Sequence, residues 1–277
     1  MRDLIRLCRP YYAVPMALTF MLTVYYCLGG EMVGQWGPIA AATVALMLVI
    51  AAGYVLNDVF DAAIDRVNAP QRPVAAGRVR PRIAAAWGVG LMAAGLGLSM
   101  VGGWAFAGAL AIVATALIGY DTFSKRLGPL KQLAVAALMT SIYPLALAQA
   151  GGATGPRAWT LVVFPVWMFL GAFGYEVLKD LRDLPGDPPV AGRPTPWARR
   201  PRRWRAIASA ATVIGALALI GPAMLGCKWL YAMLIGVAIA TGVASTRLPV
   251  RLAIPAIYVQ WIIVGVAATA DPLLLGF

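Results

Sequence analysis

Seven of the eleven acidic residues in this 277-residue chain stand in two short runs. The first, NDVFDAAID, holds Asn57, Asp58, Asp61 and Asp65. The second, EVLKDLRDLPGD, holds Glu176, Asp180, Asp183 and Asp187. On a helix, residues three, four or seven positions apart share a face, so each run presents its carboxylates together. The Pro185–Gly186 pair is expected to end the second helix before Asp187. Carboxylates held this close repel one another unless a cation neutralises them. The chain has no histidine, and Cys8, Cys27 and Cys227 are scattered without a CxxC pair. The available ligand set is therefore all oxygen. That selects a hard cation, with Mg²⁺ favoured over Ca²⁺ where a phosphate is a co-ligand.

Basic residues follow both runs. Arg66, Arg72 and Arg78 come after the first, Lys179, Arg182 and Arg193 lie in or after the second, and Lys125 and Arg126 stand between them. Acid, metal, phosphate and base together form the arrangement expected for a diphosphate ligand. The bland alternative is that the acids only pair with nearby arginines. Seven acids at two matching helix ends exceed what topology alone requires. The lack of histidine removes His-type zinc sites, haem ligation by His and His-based triads.

The elements that must position these groups look like membrane helices. The chain is 61% hydrophobic and 12% charged, with a mean hydropathy of +0.78. A soluble domain usually carries about 25% charged residues. Apolar stretches repeatedly reach the ~20 residues that cross a bilayer. Nine spans are expected, over 11–30, 37–57, 83–101, 103–121, 129–149, 158–178, 205–223, 228–246 and 252–270. The reading is an all-α integral membrane protein, one domain over 1–277, built as two four-helix units plus a ninth helix. The first span has no AxA-like site after it and reads as a helix of the bundle. With the N-terminus in the cytoplasm, every basic residue except Arg157 and Lys228 falls on the cytoplasmic side. This positive-inside bias accounts for the net charge of +12 without nucleic acid. It also puts both acidic runs on the cytoplasmic face of an inner cell membrane. The arginine-rich stretch 199–205 reads first as a loop attracted to anionic headgroups, and second as a lid. A diphosphate bound beside an apolar bundle is most simply the head of a prenyl diphosphate, with its tail between helices.

Two motifs carry a family resemblance. Asn57-Asp58-x-x-Asp61-x-x-x-Asp65, followed by Asn68-x-Pro70-x-Arg72-Pro73-x-x-x-Gly77, resembles the first aspartate-rich motif of the UbiA superfamily of intramembrane prenyltransferases. Lys179-Asp180-x-x-Asp183-x-x-Gly186-Asp187 resembles its second. The likeness runs over nearly the whole chain. It implies Mg²⁺-dependent transfer of a prenyl group to a lipophilic or aromatic acceptor at the membrane. Asn57, Asp58, Asp61 and Asp65 would hold one metal, and Asp180, Asp183 and Asp187 the other. Arg72, Lys125 and Arg126 would bind diphosphate, with Arg66, Lys179 and Arg193 behind them. Tyr120 stands where the family often has a tyrosine, and an interfacial anchor is an equal reading for it. The second motif is more like the branch acting on glyceryl phosphates, homogentisate or chlorophyllide. Tyr175 and the Tyr11-Tyr12 pair depart from common patterns and leave the acceptor open. A terpene cyclase of the same superfamily, a phosphoribosyl transferase and a transporter are the competing functions. The acids cluster at one face, whereas transporter sites lie near mid-span.

Overall fold

The computed structural model describes residues 1–123, 127–184 and 195–277. Among these residues the chain is all helical, without strands. The order is α1 (Arg2–Leu7), α2 (Pro10–Cys27), α3 (Trp36–Phe60), α4 (Ala62–Asn68), α5 (Pro81–Gly102), α6 (Trp104–Phe123), α7 (Leu130–Thr140), α8 (Ile142–Ala150), α9 (Thr160–Asp183), α10 (Pro196–Arg199), α11 (Pro201–Ala218), α12 (Ile220–Leu225), α13 (Trp229–Ser245) and α14 (Val250–Leu275). Several starts follow from proline, which tolerates the first helical turn because its missing N–H is not needed there. Pro10, Pro81, Pro196 and Pro201 each open a helix.

Among the described residues, seven stretches are long and apolar enough to cross a membrane. They are α3, α5, α6, Leu130–Ala150, α9, Pro201–Leu225 and α14. Nine were expected. The remaining two fall on α2, with 18 residues, and α13, with 17. In α2 two prolines and four tyrosines dilute the apolar character. α13 is simply short. The first acidic run is also not on one continuous helix. The helix breaks at Asp61, so Asn57 and Asp58 close α3 while Asp65 lies on α4.

Small residues let the helices approach. A Cβ at Gly95 of α5 would lie 2.9 Å from the Ala45 carbonyl oxygen of α3. A Cβ at Gly174 of α9 would lie 2.6 Å from Thr212 Oγ1 and 2.8 Å from the Ala208 carbonyl oxygen of α11. Close packing of this kind replaces the hydrophobic drive that helices in a membrane lack. Phe20, Leu46, Phe106, Leu110, Ile142 and Leu145 fill the core between α2, α3, α6 and α8. At the end remote from the acidic runs, buried Arg157 donates to Asp271 Oδ2 at 2.8 Å and to the Gly276 carbonyl at 3.0 Å. Asp271 also accepts from the backbone N–H of Lys228 and Tyr231. That cluster ties the segment before α9 to the start of α13 and the end of α14.

Candidate active site

A cavity of about 1830 Å³ runs into the bundle from the end that carries the acidic runs. Its mouth is lined by Arg9, Asn57, Asp58, Arg72, Tyr120 and Asp121 from one side, and by Tyr175, Glu176, Lys179 and Arg182 from α9. Its depth is apolar and aromatic, with Leu46, Val49, Val113, Leu117, Phe164, Trp167 and Met168. One wall is formed by α2 and α14. The Tyr12 and Tyr258 rings touch at 5.7 Å, and Tyr26 donates to the Ala268 carbonyl at 2.8 Å. Between those points Leu18, Thr19, Leu22, Ile262, Gly265 and Val266 line the cavity.

Each buried acid of the runs meets a cation. Asp58, 2% exposed, is ion-paired with Arg9 and lies 3.4 Å from Arg72. Arg72 also reaches Asp65 at 2.6 Å, so one guanidinium bridges two carboxylates across the helix break. Burial pushes the Asp65 carboxyl above its ordinary range, and the Arg72 contact works against that shift. The loop that carries Arg72 is pinned by Val74 and Val79, which pack against Leu7, Val55 and Ala84. Asp180 accepts from Lys131 at 2.6 Å and from Gln132 at 2.7 Å, both on α7. Glu176 accepts from Lys179 at 2.7 Å, and Asp183 from Arg182 at 2.7 Å. Arg9 holds its position at a conformational cost. Its φ is +45°, the one positive φ outside glycine among the described residues. A left-handed residue with a Cβ costs about 1–2 kcal/mol, so the surrounding structure must hold it there.

The expected site residues divide accordingly. Asn57, Asp58, Arg72, Tyr120 and Lys179 line the cavity. Asp61, Asp65, Asp180 and Asp183 stand behind or beside the lining. Arg66 is exposed on α4 and does not line the cavity, while Arg78 and Arg182 do. Lys125, Arg126, Asp187 and Arg193 lie outside the described residues. Among the described residues no three carboxylates or thiolates converge as a preformed metal cage, because the acids are engaged by basic side chains. Their donor type still fits a hard cation, being oxygen throughout.

Sequence reasoning missed four contributors: Arg9, Asp121, Lys131 and Gln132. Asp121 offered a signal, since an acid inside an apolar span is a functional candidate by default. Arg9 and Lys131 had been counted only toward topology. Gln132 offered none.

Comparison with known proteins places this architecture. The model of the UbiA prenyltransferase family matches residues 17–269. A digeranylgeranylglyceryl phosphate synthase from Natronomonas pharaonis is 31% identical over 247 residues, covering 88% of this chain and 86% of that protein. The synthase of the same name from Hyperthermus butylicus is 31% identical over 233 residues, covering 80% of this chain and 75% of its own length. Among solved structures, one of a digeranylgeranylglyceryl phosphate synthase in membranes superimposes with a TM-score of 0.74 at 20% identity, covering 99% of both chains. A UbiA homologue from Archaeoglobus fulgidus bound to GPP and Mg²⁺ gives a TM-score of 0.65 at 13% identity, over 98% of this chain and 100% of that one. With a match across nearly its whole length, two acidic runs at one end of a helical bundle and an apolar cavity behind them, this chain is an enzyme of the UbiA prenyltransferase family.

Proposed function

We propose that this enzyme transfers a prenyl group from a prenyl diphosphate to a glyceryl phosphate that already carries a lipid chain, with Mg²⁺ bound beside the diphosphate. The observation that carries the reading is a cavity of about 1830 Å³ with a charged mouth and an apolar body. A diphosphate fits the mouth, and an isoprenoid tail fits the depth. The names of the curated relatives, at 31% identity over most of both chains, support the acceptor class.

The residues have separable tasks. Asn57, Asp58, Asp61 and Asp65 hold one divalent cation, and Asp180, Asp183 and Asp187 the other. A metal held there would supply positive charge to the diphosphate as the allylic C–O bond breaks. Arg72, Lys125 and Arg126 bind the diphosphate oxygens, with Arg66, Lys179 and Arg193 in support. Arg9, Arg72 and Lys131 are ion-paired with Asp58, Asp65 and Asp180. With a divalent cation held by those carboxylates, the same basic groups would be available to phosphate oxygens. Tyr120 lines the cavity beside Asp121. The acceptor approaches through the side wall between α2 and α14, where the lining continues to the lipid-facing surface. α2 and α13 cross the membrane as short helices, making nine spans in one domain, with the charged mouth toward the cytoplasm.

The test is product analysis. The purified protein is incubated with geranylgeranyl diphosphate, Mg²⁺ and a panel of acceptors, and products are read by mass spectrometry. A prenylated glyceryl phosphate ether is expected, and EDTA should abolish its formation. A cyclised hydrocarbon or alcohol formed without acceptor would establish a cyclase instead. Turnover that survives thorough chelation would sink the metal assignment.

A further inference from the structure

Asp121 belongs to neither acidic run, yet the fold brings it to the first. It lies on α6, 5% exposed, and lines the cavity beside Asn57 and Asp58. Its Oδ1 accepts from Asn57 Nδ2 at 3.2 Å. Its Oδ2 receives no hydrogen bond. Every other buried carboxylate meets a cation: Asp58 has Arg9 and Arg72, Asp65 has Arg72, Glu176 has Lys179, Asp180 has Lys131 and Asp271 has Arg157. Asp121 meets none among the described residues. Burying an unpaired carboxylate is costly, and the cost is offset by a cation, by donors or by uptake of a proton.

Asn57 points to which partner arrives. Its amide nitrogen donates to Asp121 Oδ1 and also to Asp61 Oδ2, each at 3.2 Å. Ionised carboxylates only accept, so both contacts need the nitrogen. The amide oxygen takes no part in either contact and is left as an acceptor. An amide oxygen and an unpaired carboxylate oxygen on neighbouring side chains are two hard donors without a cation.

We propose that Asp121 Oδ2 is a direct ligand of the divalent cation held by the first acidic run, supplied from α6, with Oδ1 locking the Asn57 amide beside it. This rests on the metal-dependent reading above. It also assigns α6 a direct part in a metal site that the two motifs locate on α3, α4 and α9.

Mn²⁺ binding tests it without turnover. Free Mn²⁺ is followed by electron paramagnetic resonance as it is titrated into the full chain in nanodiscs, with the unreactive geranylgeranyl S-thiolodiphosphate present. Wild type, Asp58→Asn, Asp121→Asn and Asp121→Ala are compared, each with its thermal midpoint measured without metal. Losing a ligand or the partner that orients one typically weakens metal affinity about 10–100-fold. Asp121→Asn and Asp121→Ala should both fall in that range, as Asp58→Asn does. Asp121→Asn should also melt no lower than wild type without metal, because it removes a buried unpaired charge. Mn²⁺ affinity within twofold of wild type in either folded Asp121 variant, with Asp58→Asn impaired, overturns the proposal and leaves the metal-dependent reading standing. Equal affinity in wild type and Asp58→Asn fails that reading itself.

Discussion

At the residue scale the decisive side chain is Arg72. It bridges Asp58 and Asp65 at 3.4 and 2.6 Å, and its loop is anchored by buried valines. A guanidinium presents a planar fork that a lysine ammonium lacks. Arg72→Lys should therefore weaken inhibition by inorganic diphosphate and lower turnover, although the charge is kept. Arg203→Ala, exposed at the start of α11, should leave both unchanged. Inhibition constants measured on both variants check this, and equal values would reduce Arg72 to general surface charge. Asp58 is the acid most deeply committed to the mouth, being buried, cavity-lining and paired with Arg9. Removing one preorganised group that faces developing charge commonly costs about 10²–10³ in kcat. Asp58→Asn should fall in that range under saturating donor, and a value within threefold of wild type would remove it from the machinery.

At the element scale the site depends on how α9 is seated. Gly174 precedes Tyr175 and Glu176 and lies directly on α11. A methyl group there would meet backbone oxygen and Thr212 Oγ1 at under 3 Å, and the helices must part to accept it. Overpacking of this sort costs about 1–3 kcal/mol. Gly174→Ala should lower the thermal midpoint and also turnover, since Glu176 and Lys179 shift with the helix. Gly90 on α5 has open space where a Cβ would go. Gly90→Ala should be neutral or slightly stabilising, by up to about 1 kcal/mol from helix propensity. A thermal-shift series on the two variants separates helix packing from composition.

At the scale of the whole molecule, the two ends of the bundle do different work. The end opposite the mouth is closed by Arg157 and Asp271, 2% and 0% exposed. Removing one partner of a buried pair costs about 3–5 kcal/mol, because the other charge is left alone. Arg157→Met should lower the unfolding midpoint markedly while the remaining folded protein binds Mn²⁺ as wild type does. Loss of metal binding in the folded fraction would show that the two ends are coupled. The proposed orientation rests on the charge asymmetry. Val33 is 91% exposed in the turn after α2, and Arg203 is exposed at the opposite end. In a Cys8→Ala background, Arg203→Cys should react with an impermeant thiol reagent from the cytoplasmic side, and Val33→Cys from the other. Labelling of both from one side would refute the topology.

What the sequence determined by itself was local or additive. Hydropathy summed over about 20 residues announces a span. The spacing of Asp58 to Asp65 and Glu176 to Asp183 shows on the page because helical neighbours are neighbours in sequence. Tertiary structure decided the partners. Asn57 meets Asp121, Asp58 meets Arg9 and Asp180 meets Lys131 and Gln132 across 48 to 64 positions. It also decided the break at Asp61, which no proline or glycine marks. The physical reason is that lipid tails are as apolar as a protein core. A membrane helix that is apolar all round does not declare which face turns inward. Only the packing of α3 on α6, of α7 on α9 and of α2 beside α3 settles which buried charges share one cavity.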